Sequence, residues 1–421
     1  MRSPVSVCAA CLLVGCLAAE GAAQAPLTWD EVRSRFRANN PTLRAGEIGV
    51  DQSRADEVTA RLRPNPELSL SADGATLSRP SDGSGRYDNV ETVASVSYPI
   101  ELRHKRALRM ASARGATAIT IAQQADLART LVFSLRQAFV QLLQGKALLA
   151  LAEENLAYYD KLLAISRDRL HVGDIAQIDL DRLELQRVSY ESDLQTATVN
   201  LRTAKIQLIA LLNDKTTPVE SFDVTGPFDF VVPSVTLEEQ RARALQARPD
   251  LEAAIQSVEK ARTDQRLAVA NGSWDPSLSV DVGWPRSPGS LKYFGAGISV
   301  PLRLFDRNQG EKKRTELDID RNARLADATR AQVLSDVDSA HATVMSTLAL
   351  LQPYRDTYLA RSTRVRDTMT FSYEKGGAAL VDFLQAQQEY RTVQVAYVDL
   401  VAAFLNAVAQ LNLAVGEEVI P

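Results

Sequence analysis

Two short segments bring carboxylates and glycines together where long helical patterns are interrupted. RLHVGDIAQIDL runs from Arg169 to Leu180, and SYEKGGAALVDF begins 203 residues later at Ser372. In each segment a glycine follows the first helical pattern, and an aspartate falls in the first turn of the next, where its charge complements the helix dipole. The spacing predicts two helical hairpins. Two interpretations stay open: carboxylates that attract cations, and hairpin turns with no further role.

The residue types that usually bind metals or perform catalysis are scattered along the chain. The three histidines are His104, His171 and His341, and no pair has the close spacing of a zinc motif. All three cysteines lie within the first 16 residues. The sequence has no serine–histidine–aspartate pattern and no nucleotide-binding glycine loop. It therefore predicts no catalytic residue, no metal site and no cofactor, and we expect that the protein is not an enzyme.

The N-terminus has the pattern of an export signal: a basic residue, a short apolar run and small residues. Two cleavage sites fit it. LVGC, ending at Cys16, is typical of a lipoprotein, whereas AQA, ending at Ala25, is an ordinary small-residue site. The predicted signal therefore covers residues 1–25, or residues 1–15 if Cys16 is lipidated.

Composition limits the class of protein further. The chain has 421 residues, of which 45% are hydrophobic and 24% charged, and its net charge is -4. A net negative charge argues against a nucleic-acid binder. After the signal, the sequence pattern predicts no segment with the ~20 apolar residues of a transmembrane helix. If the protein crosses a membrane, we expect it to do so as β-strands.

Most of the chain consists of two similar halves. NPTLRAGEIGVDQSRADEVTARLRPNPELSLSADG, from Asn40, parallels RPDLEAAIQSVEKARTDQRLAVANGSWDPSLSVDVG, from Arg248. Each half is predicted to contain a helix, two strands, a very long helix, a break and a returning helix. The first repeat covers residues 26–213 and the second residues 237–421, and an equatorial connector at 214–236 joins them.

Heptad patterns support the long helices. Leu135 and Leu142 begin a series that recurs every seven residues in the first half, and Val337 and Val344 begin the equivalent series in the second. A strict seven-residue period implies a left-handed coiled coil. Pro353 interrupts the second series and should end or kink that helix.

Short segments of alternating polarity predict four strands at about 66–74, 89–100, 276–284 and 292–302. Their length and their single apolar face suit the tilted strands of a membrane barrel. Four strands cannot close a barrel, and an open edge is costly in lipid, so closure would need several copies of the chain. The alternative is a soluble four-stranded sheet packed on helices.

With this order of elements, the chain resembles the TolC-type outer-membrane channel family over about residues 27–416. VSYPIELRHKRALRMASAR (96–114) and ISVPLRLFDRNQGEKKR (298–314) resemble its heavy-metal branch, which serves cobalt, zinc and cadmium pumps of the RND type. In that branch the second strand of each half ends in a similar proline-containing run, and FDRNQG, from Phe305, matches the pattern that follows. The first half departs from it, because LRHKR stands where a glycine pair is expected before Lys105.

The resemblance implies a mainly α-helical protein with a membrane β-barrel part. In such a homotrimer, twelve strands form the barrel, which is continuous with a periplasmic α-barrel of twelve helices. The channel is a passive exit duct in the bacterial outer membrane that meets a periplasmic membrane-fusion adaptor and an inner-membrane RND pump. Contact with outer-membrane lipid is expected, and no nucleic acid is expected as a partner. For the basic residues after each strand pair, two interpretations stay open: contact with lipid phosphates, and solvated charges at the start of a helix.

By the same resemblance, the candidate site residues lie at the tips and at the strand ends. The tip residues expected to face the adaptor are Arg169, Val172, Gly173, Asp174, Tyr373, Gly376 and Gly377. Arg169 is also expected to hold the tip closed. The pore or gate candidates, whose carboxylates would form cation-attracting rings, are Asp174, Asp179 and Asp382. The lipidation candidate is Cys16, and the membrane-interface candidates are Tyr98, Trp284 and Tyr293.

The class of protein is predicted more closely than its substrate. Our main hypothesis is a duct for heavy-metal cations of the cobalt, zinc and cadmium type. The alternative within the class is the same type of duct serving drugs or type I secretion. A periplasmic coiled-coil structural lipoprotein is the alternative of another class, and it would place no strand in a membrane.

Overall fold

The computed structural model describes residues 25–74, 90–232, 235–286 and 289–420. Cys16 and the rest of the predicted signal, apart from its last residue, lie outside this part of the chain. The helices are α1 Trp29–Asn39, α2 Pro41–Arg61, α3 Lys105–His171, α4 Gln177–Leu211, α5 Leu237–Ala247, α6 Pro249–Asn271, α7 Gln309–Pro353, α8 Leu359–Glu374 and α9 Leu380–Val415. The strands are β1 Glu67–Asp73, β2 Glu91–Pro99, β3 Ser277–Pro285 and β4 Tyr293–Ser299.

The two short helices, α1 and α5, are absent from the predicted order of elements. Each begins with a capping box, formed by Thr28 with Glu31 in α1 and by Thr236 with Glu239 in α5. In this motif the threonine side chain and the glutamate side chain each satisfy a free backbone N–H of the first turn. The spacing of threonine and glutamate is therefore the sequence signal for both helices.

The outgoing helix α3 has 67 residues, which gives a length of about 100 Å. The returning helix α4 has 35 residues and spans about half of that length. Helix α2 continues from the end of α4, because the Asn40 side-chain amide donates to the Leu211 carbonyl at 3.2 Å. In the second half, the Arg248 guanidinium donates to the Ala414 carbonyl at 3.2 Å, which joins α6 to α9. Both halves therefore contain two helices stacked end to end beside one long helix.

Buried heptad positions hold the long helices together. Leu135 and Leu142 are fully buried in the first half, and Val337 and Leu351 are fully buried in the second. Burial of each such side chain contributes roughly 1.5–3 kcal/mol. These residues belong to two hydrophobic clusters, one in each half, and a third cluster lies close to the hairpin tips. The predicted coiled-coil pattern is confirmed at these positions.

The prediction that no later segment is long and apolar enough to span a membrane as a helix is wrong for α9. This helix contains an 18-residue window with a mean hydropathy of 1.7. Half of the window is buried inside the protein, and Phe404, Val408 and Leu411 belong to the core of the second half. Packing within the protein accounts for the buried half of this apolar window.

Pro353 disturbs the second outgoing helix, as predicted. Helix α7 ends at Pro353, a π-helical turn covers Tyr354–Tyr358, and α8 begins immediately afterwards. Proline has no N–H and its ring crowds the preceding turn, so the regular hydrogen-bond ladder is interrupted. The guanidinium of Arg355 lies 4.1 Å from the centroid of the Phe230 ring, which attaches this turn to the connector.

The four strands form one antiparallel sheet in the order β1-β2-β3-β4. Leu68 lies opposite Val96, Val96 lies opposite Val280, and Val280 lies opposite Ala296. Residues paired across antiparallel strands point to the same face, so this register gives the sheet one largely apolar and one largely polar face. Pairing of β2 with β3 joins the two halves, and β1 and β4 are the two edges.

The segment between the halves has little regular structure. Val224 is fully buried and forms an isolated parallel bridge with Leu27. Asp214 accepts hydrogen bonds from the N–H groups of Thr216 and Thr217, which closes the turn after α4. Hydrogen bonds from these threonines lower the pKa of Asp214. The division of the chain into signal, two repeats and connector stays a prediction.

Candidate functional site at the helical tips and in the sheet

Each long hairpin turns through a glycine in the left-handed conformation. Gly173 follows α3 with φ 82°, and Gly376 follows α8 with φ 74°. A residue with a Cβ is disfavoured in this conformation. In the first turn the Asp174 N–H donates to the Arg169 carbonyl at 2.9 Å, and in the second the Gly377 N–H makes the equivalent bond at 2.8 Å. Both turns are therefore Schellman motifs.

Most of the predicted tip residues are accessible to a partner. Val172 is 73% exposed, and Asp174 in the first turn and Gly377 in the second are also exposed. A Cβ added at Gly173 would meet no atom within 4 Å, so the backbone conformation rather than crowding requires this glycine. Tyr373 is different, because only 6% of it is exposed. Its ring packs inward, so within one copy of the chain the side chain of this predicted adaptor-facing residue is not on the surface, and its contact with the adaptor stays a prediction.

The three gate candidates lie at two levels of the tips. Asp174 lies in the turn itself, whereas Asp179 and Asp382 lie in the first turns of α4 and α9. The carboxylates of Asp179 and Asp382 can complement the positive N-terminal ends of α4 and α9. Asp174 and Asp382 are exposed, and Asp179 is half-buried near Tyr373. Among the residues that the structure describes, no group of three or more His, Cys, Asp or Glu could hold a metal ion.

An aromatic cluster joins the two hairpins just inside the tips. Tyr159 of α3 stacks on Tyr190 of α4 with ring centroids 4.5 Å apart, and Tyr373 of α8 stacks on Phe383 of α9 at 4.9 Å. All four rings are buried in one hydrophobic cluster. Burial raises the pKa of Tyr373, while the guanidinium of Arg169 acts in the opposite direction and the carboxylate of Asp179 adds to the rise. The hairpins thus share a core at the tips.

Arg169 connects the first tip to the second. Its Nη1 donates to the backbone carbonyl of Tyr373 at 2.9 Å, and its guanidinium carbon lies 5.3 Å from the centroid of the tyrosine ring. That carbonyl lies at the C-terminal end of α8, where a cation complements the helix dipole. Further inside, Arg391 of α9 pairs with Asp193 of α4 at 2.8 Å. Sequence reasoning missed this second link, because it depends on how the hairpins pack.

The polar face of the sheet carries four carboxylates. The register places Glu67, Asp73, Glu91 and Asp281 on this face, together with serines from the neighbouring strands. The hydroxyl of Ser95 donates to Asp281. None of the four strands, as the structure describes them, contains a lysine or an arginine. This face is therefore electronegative.

The opposite face is apolar and exposed. Leu70 and Phe294 are each 72% exposed, and Tyr98 and Trp284 lie on the same face near opposite ends of the strands. Tyr293 lies on the polar face instead, with its ring over a glycine of β3. The prediction that Tyr293 belongs to an aromatic belt with the other two does not fit this register. An exposed apolar sheet face of this kind is typical of strands that contact lipid.

Two of the basic residues after the first strand pair form ion pairs with other parts of the chain. Lys105 is 3% exposed and pairs with Asp275 at 2.5 Å, which ties the start of α3 to the turn before β3. Arg109 pairs with Glu101, two residues beyond the end of β2. Of the two interpretations of this cluster, contact with lipid phosphates is therefore wrong for Lys105, because burial removes its ammonium group from the surface.

A sheet with one lipid-compatible face, joined to helical hairpins whose tips lie roughly 100 Å away, defines the protomer of a TolC-type outer-membrane channel. The chain belongs to the outer membrane efflux protein family, whose model matches residues 32–214 and 241–417. It is a passive transport channel of the outer membrane that extends into the periplasm, and it is not an enzyme. The resemblance to TolC-type channels is confirmed.

Individual relatives and solved structures are similar to this chain at low sequence identity. The chain is 23% identical over 398 residues to the cobalt-zinc-cadmium resistance protein CzcC of Cupriavidus metallidurans, covering 94% of this chain and 91% of the relative. It is 24% identical to the pyoverdine export outer membrane protein OpmQ of Pseudomonas aeruginosa, covering 92% and 84%. The solved transmembrane channel CusC superposes with a TM-score of 0.74 at 20% identity, covering 92% of each chain.

Proposed function

We propose that three copies of this chain assemble into a closed outer-membrane duct for heavy-metal cations. The observation that carries the assembly is the sheet, whose edge strands β1 and β4 have no partner strand among the described residues. Backbone groups at an open edge cannot be left unpaired in lipid. Pairing of β4 with β1 of the next copy satisfies both edges, and three four-stranded sheets give the twelve-stranded barrel of the family.

A stripe on α4 supports the same assembly at the level of the helices. Ile178, Leu185, Val199 and Ile206 are 58%, 74%, 60% and 48% exposed, and their numbers differ by multiples of seven. Such a stripe is the seam of a coiled coil that lacks its partner helix. We assign it to the neighbouring copy, because α4 lies at one end of the order α4, α3, α9, α7 in which the helices pack.

The tips of the hairpins are the surface that we assign to a periplasmic adaptor, which would link the duct to an inner-membrane RND pump. The exposed residues of this surface are Val172, Gly173, Asp174, Gly376 and Gly377. We also propose that the tips form the gate, with Asp174, Asp179 and Asp382 repeated in each copy. Rings of carboxylates at a constriction favour cations over anions.

An adaptor contact can be tested with a single cysteine, because all natural cysteines lie within the first 16 residues. A channel with Val172→Cys is expected to form a crosslink with the adaptor when cells are treated with a short thiol-to-amine reagent. Leu245→Cys, which lies at 37% exposure on α5, is the matched control and should give no such product. A crosslink from the control but not from the tip would place the adaptor elsewhere.

Cations are the substrate class that the electronegative sheet face supports. In a closed barrel this face would line the lumen, so each copy would contribute Glu67, Asp73, Glu91 and Asp281. A lumen lined by carboxylates raises the local concentration of cations and lowers that of anions. Similarity to CzcC, which is named for cobalt, zinc and cadmium resistance, favours metal ions among cations. The alternative is a duct for drugs or secreted molecules.

Deletion of the gene tests the substrate. We expect the deletion strain to become more sensitive to zinc, cobalt or cadmium, with a smaller change in its sensitivity to drugs. Growth at graded concentrations of each metal and drug measures both effects, and wild-type complementation is the control. Unchanged metal tolerance together with drug hypersensitivity would contradict the heavy-metal assignment and favour the alternative.

A lumen variant separates the role of the carboxylates from the presence of the channel. The pair Glu91→Gln and Asp281→Asn removes two acidic groups from each copy without changing their size. We expect the purified variant still to conduct in planar bilayers, but with a cation-to-anion permeability ratio reduced by several-fold. The ratio should fall because these charges contribute to the negative potential inside the lumen. An unchanged ratio would show that the strand carboxylates do not select the ion.

A further inference from the structure

A cavity of about 370 Å³ lies between α1, α3 and the end of α9, far from both the tips and the sheet. Apolar side chains form part of its wall, and its charged lining residues are Arg33, Arg37, Arg129, Arg136, Glu417 and Glu418. Arg129 already binds Asp126, with 3.0 Å between Nε and the carboxylate. The lining thus combines an excess of positive charge with apolar surface.

Among the described residues, two arginines of this cavity face the same carboxylate, that of Glu418, and neither forms an ion pair shorter than 3.7 Å. The Nε of Arg33 is buried without a hydrogen bond, and the nearest carboxylate, that of Glu418, lies 3.7 Å from its Nη1. Arg136 stacks on Trp29, with its guanidinium carbon 4.6 Å from the ring centroid. Burial lowers the pKa of Arg136, and the carboxylates of Glu418 and Asp30 act in the opposite direction. A negative ligand would stabilise both guanidinium groups.

In the second repeat, the residues equivalent to Arg33 and Arg136 form an ion pair. Arg33 lies five residues after the capping threonine of α1, and Arg241 lies five residues after that of α5. Arg136 follows the buried heptad residue of α3, and Asp338 follows the equivalent buried residue of α7. In the second repeat the two residues form a bidentate ion pair, with both N–O distances at 2.7 Å. The first repeat has arginine where the second has this aspartate.

We propose that the cavity binds a small organic anion, whose carboxylate or phosphate takes the place that Asp338 fills in the second repeat. Planar guanidinium groups bind such groups through paired hydrogen bonds, and the apolar wall suits a carbon skeleton. Arg136 lies about 45 Å along α3 from its strand end, beyond the reach of a lipid headgroup. The ligand is therefore a soluble periplasmic molecule. Its binding would tie α1 to α3 beside the end of α9.

Phenyl phosphate is a suitable probe, and isothermal titration calorimetry of the detergent-purified channel measures its binding. We expect saturable binding with one site per chain. Arg136→Asp supplies the internal partner for Arg33 that the second repeat already has, so binding should weaken by about ten-fold or more while the channel stays folded. Glu418→Gln removes a competing carboxylate, so binding should tighten by a few-fold.

The matched control is Asp338→Asn, which removes the ion pair of the second repeat and should leave the affinity for phenyl phosphate unchanged. Circular dichroism and melting temperature show whether each variant is folded. If Arg136→Asp does not fold, the proposal is tested by the gain in affinity for phenyl phosphate with Glu418→Gln, because a misfolded protein does not bind more tightly. Absence of saturable binding to the wild-type channel, or unchanged affinity with Glu418→Gln, would overturn the proposal.

Discussion

Val280→Arg is expected to prevent assembly of this protein in the outer membrane. Val280 lies in the middle of β3 on the apolar face, opposite Val96 and Ala296, and is 45% exposed. An arginine on the lipid-facing side of a barrel costs about 2–4 kcal/mol near the bilayer midplane. In a trimer the cost recurs in every copy. The measurement is the heat-dependent shift in gel mobility of outer-membrane fractions, which folded barrels show and unfolded chains do not.

Ser279→Arg is the matched control, because Ser279 directly precedes Val280 and points to the polar face. Its partners are Ser97 and Gly297, so its side chain would enter the proposed lumen beside acidic residues. We expect this variant to assemble. Equal loss of assembly for both variants would show that the two faces of the sheet do not differ in their contact with lipid. Normal assembly of Val280→Arg would contradict the assignment of the apolar face.

The faces of the sheet could be predicted from the sequence only where polarity alternates strictly. In β1, Leu68 and Leu70 alternate with polar residues, and that pattern identified one face correctly. In β4, Tyr293 and Phe294 are consecutive and are followed by small residues, so the local pattern cannot say which ring faces lipid. The register with β3 decides it, and register is a non-local property. The sequence alone therefore could not predict which face Tyr293 occupies.

The helices could be predicted closely because heptads are local. The burial of Leu135, Leu142 and Val337 follows from their spacing alone. The apolar character of α9 was underestimated, since its polar residues are concentrated towards its tip end while its other half is buried. The capping boxes of α1 and α5 were present in the sequence, but each helix has 11 residues and is followed almost directly by another. Two adjoining helices separated by one residue resemble a single helical pattern.

At the tips, the glycines could be predicted and the contacts between hairpins could not. Gly173 and Gly376 are recognisable because a left-handed residue between two helical patterns is usually glycine. Arg169 was expected to hold the tip closed, but its partner could not be identified from charge. The partner is a backbone carbonyl and an aromatic ring, that of Tyr373, and neither carries a formal charge. The meeting of the two hairpins depends on tertiary packing.

Arg169→Ala is expected to shift the proposed gate towards its open state. The substitution removes a charge-assisted hydrogen bond and a cation–π contact between the two hairpins of each copy. A hydrogen bond to a charged group contributes about 1.5–3 kcal/mol, which corresponds to a ten-fold to roughly hundred-fold change in the ratio of open to closed states. Single-channel recording of the purified trimer in a planar bilayer measures the fraction of time spent in the open state.

Arg167→Ala is the control for this prediction, because it removes an arginine from the same helix only two residues away. Arg167 pairs with Glu184 at 2.7 Å, and both residues belong to the first hairpin. Loss of that exposed pair does not separate the two hairpins, so the open fraction should stay close to that of the wild type. An equal rise in both variants would mean that loss of positive charge, rather than release of the second hairpin, opens the tip. No rise in Arg169→Ala would show that the aromatic core and the Arg391–Asp193 pair hold the tips closed without it.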